Sequence, residues 1–227
     1  MIRKIGKILL RALAAFFILS ILSTLLFRFI PVPVTPLMLI RAMEREDGRM
    51  DYEWVPIETI SKQLPKAVIA AEDQKFESHN GFDLEAIEKA MRYNEKHKGK
   101  RVKGASTISQ QTAKNLFLWP GRSWIRKGLE VYFTFLIELL WSKERIMEVY
   151  LNIIEFGPGV YGAEAAAHYH FDKTAQKLNK REAASLAAVL PNPIRWSASK
   201  PTSYIQRKRN RIMIFMDRID RQEKNAE

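Results

Sequence analysis

The chain has 227 residues, 47% of them hydrophobic and 27% charged, with ten Gly and ten Pro. That mix excludes a collagen-like or low-complexity chain and argues against global disorder. Lys and Arg total 37 against 25 Asp and Glu, a net charge of +12, which points to an anionic partner: nucleic acid, a membrane surface or an anionic substrate. There is no Cys, so a disulfide scaffold, a thiol nucleophile and a Cys-ligated zinc site are excluded.

The first element is apolar. Residues 12–27 form an uncharged run of 16 residues between Arg11 and Arg28. A bilayer core needs about 20, and snorkelling Arg side chains let Leu9, Leu10, Phe29 and Ile30 extend the span. Arg3, Lys4, Lys7 and Arg11 precede the run while Arg28 alone follows closely. The positive-inside bias therefore predicts a cytoplasmic N-terminus, with everything after residue 30 on the far side. A cleaved signal peptide is the rival reading, but Pro31-Val32-Pro33-Val34-Thr35-Pro36 lacks a small-x-small cleavage pattern. The expected order is a cytoplasmic tail at 1–8, a transmembrane anchor at 9–30, a connector at 31–50 that starts as a stiff proline-rich stretch, and one domain at 51–227.

Helical patterns dominate that domain, and the class expected is mainly α. Pro65 followed by Ala67, Val68, Ala70 and Ala71 predicts a helix leading into Glu72. Segments 143–152 and 181–190 also read as helices. Tyr204, Lys208, Ile212, Phe215 and Ile219 recur at helical steps behind the capping candidates Thr202 and Ser203. In 129–141 the polar residues Glu130, Thr134 and Glu138 are spaced by four, which places them on one stripe of an otherwise apolar helix. Acids on such a stripe must face water, a cation or a polar cleft, because an unpaired buried carboxylate costs several kcal/mol. A structural ion pair satisfies that requirement as well as a catalytic cleft does.

Three polar clusters interrupt the helical background: residues 72–81, 104–115 and 122–130. They combine carboxylates, cations and neutral hydrogen-bonding groups, an inventory suited to sugar chemistry with an anionic leaving group. The first fits E-D-x-x-F-x-x-H-x-G at Glu72, Asp73, Phe76, His79 and Gly81. The second fits G-x-S-T-I-x-Q-Q-x-x-K-N, and the third R-K-x-x-E at Arg126, Lys127 and Glu130. A fourth stretch, Lys143, Ile146, Glu148, Tyr150, Leu151 and Asn152, fits K-x-x-I-x-E-x-Y-L-N. In these motifs, from about Trp54 to Met216, the chain resembles the peptidoglycan glycosyltransferase family, whose domain also occurs in bifunctional penicillin-binding proteins. Ala105, Ser109 and Met147 depart from the usual Gly, Thr and Leu, and none of the three removes a charge. No transpeptidase segment follows before Glu227, so a monofunctional member is expected.

The resemblance implies a lysozyme-like helical domain of two lobes, a head and a membrane-proximal jaw, behind one N-terminal transmembrane helix. It implies polymerisation of lipid II into β-(1,4) glycan with inversion at the MurNAc anomeric carbon and release of undecaprenyl pyrophosphate. Glu72 is then the base that takes the proton of the acceptor 4-hydroxyl. Lys114 and Arg122 clamp the pyrophosphate, with Arg126 and Lys127 beside them as further substrate-binding cations. Glu130 is the second catalytic acid, acting by orienting an Arg or by assisting a metal or proton near the phosphate. Ser106, Thr107, Gln110, Gln111 and Asn115 bind sugar or order the cleft, helix capping being the alternative. Asp73 and His79 read as loop scaffolding.

No cofactor or protein metal site is expected, although the resemblance leaves room for a divalent cation near the pyrophosphate. The expected partners are lipid II, the growing glycan chain and inner-membrane lipids, with other cell-wall synthesis and division proteins as candidates; nucleic acid is not expected. The location implied is the cell inner membrane, with a periplasmic catalytic domain. Lys96, Lys98, Lys100, Arg101 and Lys103 make a cationic loop that either gathers anionic lipid carriers or is simply solvated. Trp119, Trp124 and Trp141 in 116–141 suit a membrane-interface jaw, with core packing the alternative for Trp141. Two other function classes stay open at this point: a lytic enzyme that cuts peptidoglycan, since lysozyme-type folds share the catalytic glutamate, and a basic membrane-tethered scaffold.

Overall fold

A computed structural model describes residues 2–97, 102–121 and 123–226, and those residues are mainly α. In chain order the helices are α1 (Ile2–Phe27), α2 (Pro36–Glu44), α3 (Gln63–Glu72), α4 (Leu84–Lys96), α5 (Ile108–Phe117), α6 (Trp124–Leu140), α7 (Lys143–Ile153), α8 (Ala163–Phe171), α9 (Lys180–Val189) and α10 (Ser203–Ala226). Three short strands, β1 (Asp51–Tyr52), β2 (Glu155–Gly157) and β3 (Val160–Tyr161), form a small sheet in the order β1-β3-β2. In it β1 runs parallel to β3, and β2 antiparallel.

Local chemistry sets the helix starts. Thr35, Asp83, Ser123 and Ser142 each accept a backbone N–H three residues on, capping α2, α4, α6 and α7. Pro36 occupies the first turn of α2, where its missing N–H is no loss. Reciprocal capping boxes open α5 (Thr107 with Gln110) and α9 (Asn179 with Glu182). For α10, Thr202 is the cap, its Oγ1 accepting from Ile205 N–H at 3.4 Å.

Helices α3, α9 and α10 pack on one another, and α5 packs against α6, α7 and α2. One core joins the two groups, with Tyr150, Tyr161, Phe76, Leu64, Ile108 and Leu186 fully buried in it. The C-terminus of α3 and the N-terminal half of α5 meet where these groups adjoin, which positions the first two motifs against each other.

Helix α1 is the one helix among the described residues that is long and apolar enough to cross a membrane. Its large side chains point outward, including Ile8, Leu9, Leu10, Ile18 and Leu19. The C-terminal part of α1 is docked on α6 and α7. Ser20 Oγ and Tyr132 OH lie 2.7 Å apart, Trp141 Nε1 donates to Thr24 O at 2.8 Å, and Arg145 Nη2 donates to Phe27 O at 2.7 Å. Trp141 is therefore core-packed. By contrast Trp124 is 91% exposed, and Ile125, Phe135 and Leu139 continue an open apolar face along α6.

Candidate active site

The first motif divides at its first two residues. Asp73 is buried, and its carboxylate accepts from Ile108 N–H and from His79 Nε2, each at 3.0 Å. Because Gly81 N–H donates to His79 Nδ1 (3.1 Å), that nitrogen is unprotonated and the ring hydrogen sits on Nε2, facing Asp73. Lys143 Nζ donates to His79 O (2.6 Å) and to Glu138 Oε1 (2.8 Å), and Ser109 Oγ donates to the same Glu138 oxygen. Gly81 has φ +84°, and a Cβ there would lie 2.8 Å from Thr134 Cγ2 and 2.9 Å from Glu138 Cγ. Only glycine lets the loop turn left-handed and rest directly on α6.

Glu72 stands apart from this network. It ends α3, is half-buried, and one Oε accepts from Gln111 Nε2 at 3.0 Å. Gln111 Oε1 in turn accepts from Tyr150 OH at 3.3 Å. Burial chiefly, with Glu72 and Asp73 assisting, holds the Tyr150 hydroxyl well above its ordinary pKa, so it stays a donor. Glu72 and Gln111 line an open cavity of about 730 Å³ together with Ser106, Thr107 and Pro191, and Lys75, Lys89 and Lys103 stand in its wall. Among the described residues no cation forms a salt bridge with Glu72.

A second cavity, of about 370 Å³, lies further along α5 and shares Pro191 with the first. Lys114 is three residues beyond Gln111 and so projects from the same helical face. Lys114, Asn115 and Arg126 all line this cavity. The Lys114 ammonium has no hydrogen-bond partner among the described residues, and burial, with Arg126 and Lys127 adding, pulls its pKa below the ordinary lysine value against the opposing pull of Glu130 and Glu72. Arg126 is buried, and its Nη1 donates to Glu130 at 2.8 Å while Lys127 Nζ donates to the other Glu130 oxygen at 2.5 Å. The acids of the α6 stripe thus face cations, Glu130 through Arg126 and Lys127, Glu138 through Lys143.

These are the features of a group-transfer cleft: an accessible carboxylate in one cavity, and desolvated cations in the next. A family model described as Transglycosylase matches residues 39–217. A Bacteroides thetaiotaomicron protein named biosynthetic peptidoglycan transglycosylase is 54% identical over 222 residues, 96% of this chain and 89% of that protein. Proteins of the same name from Bdellovibrio bacteriovorus (54% over 211 residues, 91% and 84%) and Pseudomonas putida strain GB-1 (57% over 199 residues, 86% and 84%) agree. The chain belongs to the transglycosylase family.

Of the residues singled out in this transglycosylase's sequence, the structure brings Glu72, Ser106, Thr107 and Gln111 to one cavity and Lys114, Asn115 and Arg126 to the other. Thr107 and Gln110 are occupied locally: Thr107 Oγ1 donates to Gly81 O (2.6 Å) and accepts from Gln110 N–H, while Gln110 Oε1 accepts from Thr107 N–H. Arg122 lies outside the described residues, as do Lys98, Lys100 and Arg101 of the basic loop. Lys103 is fixed through its backbone to the Asn94 side chain.

Lys208, which the sequence places only in the α10 stripe, was missed as a site residue. Half-buried on α10, it sits close enough to Glu72 to feel its charge, although burial dominates and lowers its pKa. The signal was present, since a lysine interrupting the stripe Tyr204, Ile212, Phe215 and Ile219 needs a polar destination. Arg41 of α2, which lines the Lys114 cavity, was missed as well. The family match also begins earlier than the motifs suggest, inside α2 at residue 39.

Proposed function

We propose that this transglycosylase polymerises lipid II into β-(1,4)-linked glycan, with Glu72 as base and the Lys114 cavity as the diphosphate site. The observation that carries the reading is the pairing of the two cavities along one face of α5. Glu72 has a free lone-pair sector toward the larger cavity. The acceptor 4-hydroxyl gives its proton to Glu72 as its oxygen bonds to the anomeric carbon of the chain-end MurNAc. The bond from that carbon to the lipid diphosphate breaks with inversion, and the electron pair leaves on the diphosphate. Lys114 and Arg126 face the charge that grows there, so they favour the transition state over the ground state. Glu130, engaged by two cations, acts as a positioning residue that holds Arg126 and Lys127. Ser106, Gln111 and Asn115 supply amide and hydroxyl groups to the sugars.

Anchoring completes the proposal. The basic residues at the start of α1, Arg3, Lys4, Lys7 and Arg11, favour a cytoplasmic N-terminus, with the catalytic domain, residues 51–227, in the periplasm at the inner membrane. The open apolar face of α6 continues from the docked end of α1 and would enter the lipid interface as the jaw of a two-lobed, lysozyme-like domain. Attachment then raises the effective concentration of a substrate that is itself confined to the bilayer.

The test is gel analysis of products from labelled lipid II given to the full-length chain, with and without moenomycin, an inhibitor associated with the family. A moenomycin-sensitive ladder of glycan is the expected result. No ladder, with release of fragments from mature sacculi instead, would replace polymerisation by cutting.

A further inference from the structure

Arg41 stands on the connector helix α2, outside the four motifs, yet its side chain lines the 370 Å³ cavity with Lys114, Asn115 and Arg126. Its Nε is buried without a hydrogen-bond partner among the described residues, and Arg126 Nε is in the same condition. Two guanidinium groups therefore border one cavity, each with a buried N–H unmet among the described residues. The neighbouring acid makes no hydrogen bond to either of them. Glu155 lines the cavity too, but its Oε1 accepts from Gly159 N–H at 3.2 Å, and burial raises its pKa against the opposing charges of Arg41 and Arg45. Arg45, the C-cap residue of α2, provides an internal contrast. Its Nε and Nη2 fork onto Asp47 at 2.9 and 2.7 Å, so it needs no further anion.

The unmet donors and the desolvated Lys114 call for a compact, multiply charged oxyanion. A diphosphate offers several acceptor oxygens, and the planar guanidinium fork matches them better than a point charge does. We propose that Arg41 is a third cation of the diphosphate clamp, so that the helix joining anchor to domain builds part of the active site. Helix α2 is held in place for this: it packs on α5, the helix that carries Lys114, and Met38 is fully buried beneath it. The inference rests on the assignment of the Lys114 cavity to the leaving diphosphate. It adds that moving the connector relative to α5 changes catalysis as well as attachment.

The test uses the full-length chain in neutral detergent, comparing wild type with R41M, R41K and R45M. Calorimetric titration with inorganic pyrophosphate gives binding, and lipid II turnover gives kcat and KM. Arg41→Met should weaken pyrophosphate about tenfold and lower kcat/KM by a similar factor, while Arg41→Lys recovers part of both. Arg45→Met, which removes the same charge from the end of the same helix, should leave both unchanged. Equal behaviour of R41M and R45M overturns the proposal, as does an R41M effect that appears only when anionic phospholipid is added. If R41M loses its cooperative melt, R41K against wild type decides, and unaltered pyrophosphate affinity there overturns it. Wild-type chain that binds pyrophosphate through Arg41 but makes no glycan would remove the polymerase reading and leave Arg41 as an oxyanion ligand. Glycan synthesis untouched by R41M would remove Arg41 alone.

Discussion

The Asp73–His79–Glu138–Lys143 network and the Glu72–Lys114–Arg126 cleft both start from the first motif and both set carboxylates among cations. They differ in satisfaction. In the network every carboxylate has a cation, hydroxyl or N–H on it, and the loop, α5, α6 and α7 are tied together by contacts of 2.6 to 3.1 Å. In the cleft Glu72 has one amide partner, Lys114 has none among the described residues, and Arg126 keeps an unmet N–H. Groups that folding has already satisfied hold a frame, and groups it leaves short of partners are the ones a ligand can complete. Glu72 and Asp73, adjacent in sequence, fall on opposite sides of that division.

Exchanging the damage between these neighbours breaks the comparison most sharply. Glu72→Gln keeps the shape and can still accept from Gln111, so the fold should survive with stability within about 0.5 kcal/mol of wild type. Turnover of lipid II should fall by roughly three orders of magnitude, the scale expected when a positioned base is removed. Near-normal turnover by the purified, folded variant would end the base assignment. Asp73→Ala should do the reverse in the first instance. It strands His79 Nε2 and Ile108 N–H in a buried site, and should cost about 2–4 kcal/mol in chemical denaturation. A variant as stable as wild type would show that the network is not the frame.

How much of this was legible beforehand follows the same line. Helix starts were readable where a cap lies next to its helix in sequence, as at Thr202 before α10. The pairing of the α6 acids with cations was foreseeable too, since a stripe of Glu130, Thr134 and Glu138 on an apolar helix has to find compensation. The role of Gln111 as the partner of Glu72 was not, because it depends on how α3 and α5 meet across 39 residues. Thr107 and Gln110 show the converse: a motif names them together with Gln111, and of the two readings open for them the capping one is what the backbone of α5 shows. Arg41 and Lys208 lie outside the motifs, on helices whose orientation toward the cleft is set by packing on α5 and on α3 with α9. Spacing along one helix could place them on a face, but not say what that face meets.

The mildest perturbation, a change of pH, sharpens the comparison at Lys114. Burial lowers its pKa below 10.5, because the ammonium in the cavity has lost water without gaining a protein partner. As pH rises, Lys114 therefore gives up its proton before an ordinary lysine would, and the clamp loses a charge. The alkaline limb of kcat/KM should fall below pH 10.5, and Lys114→Arg, whose guanidinium keeps its proton, should move that limb upward while lowering the plateau by about tenfold. The sign for stability is opposite. Between the depressed folded value and the unfolded one, the unfolded chain holds more protons at this position, so this residue's contribution to stability increases with pH in that interval. Activity lost while this contribution to stability grows is the signature of a cation kept in place for a ligand. A limb unmoved by Lys114→Arg would assign the alkaline loss to another group, and Lys208, also lowered by burial and close to Glu72, is the next to substitute.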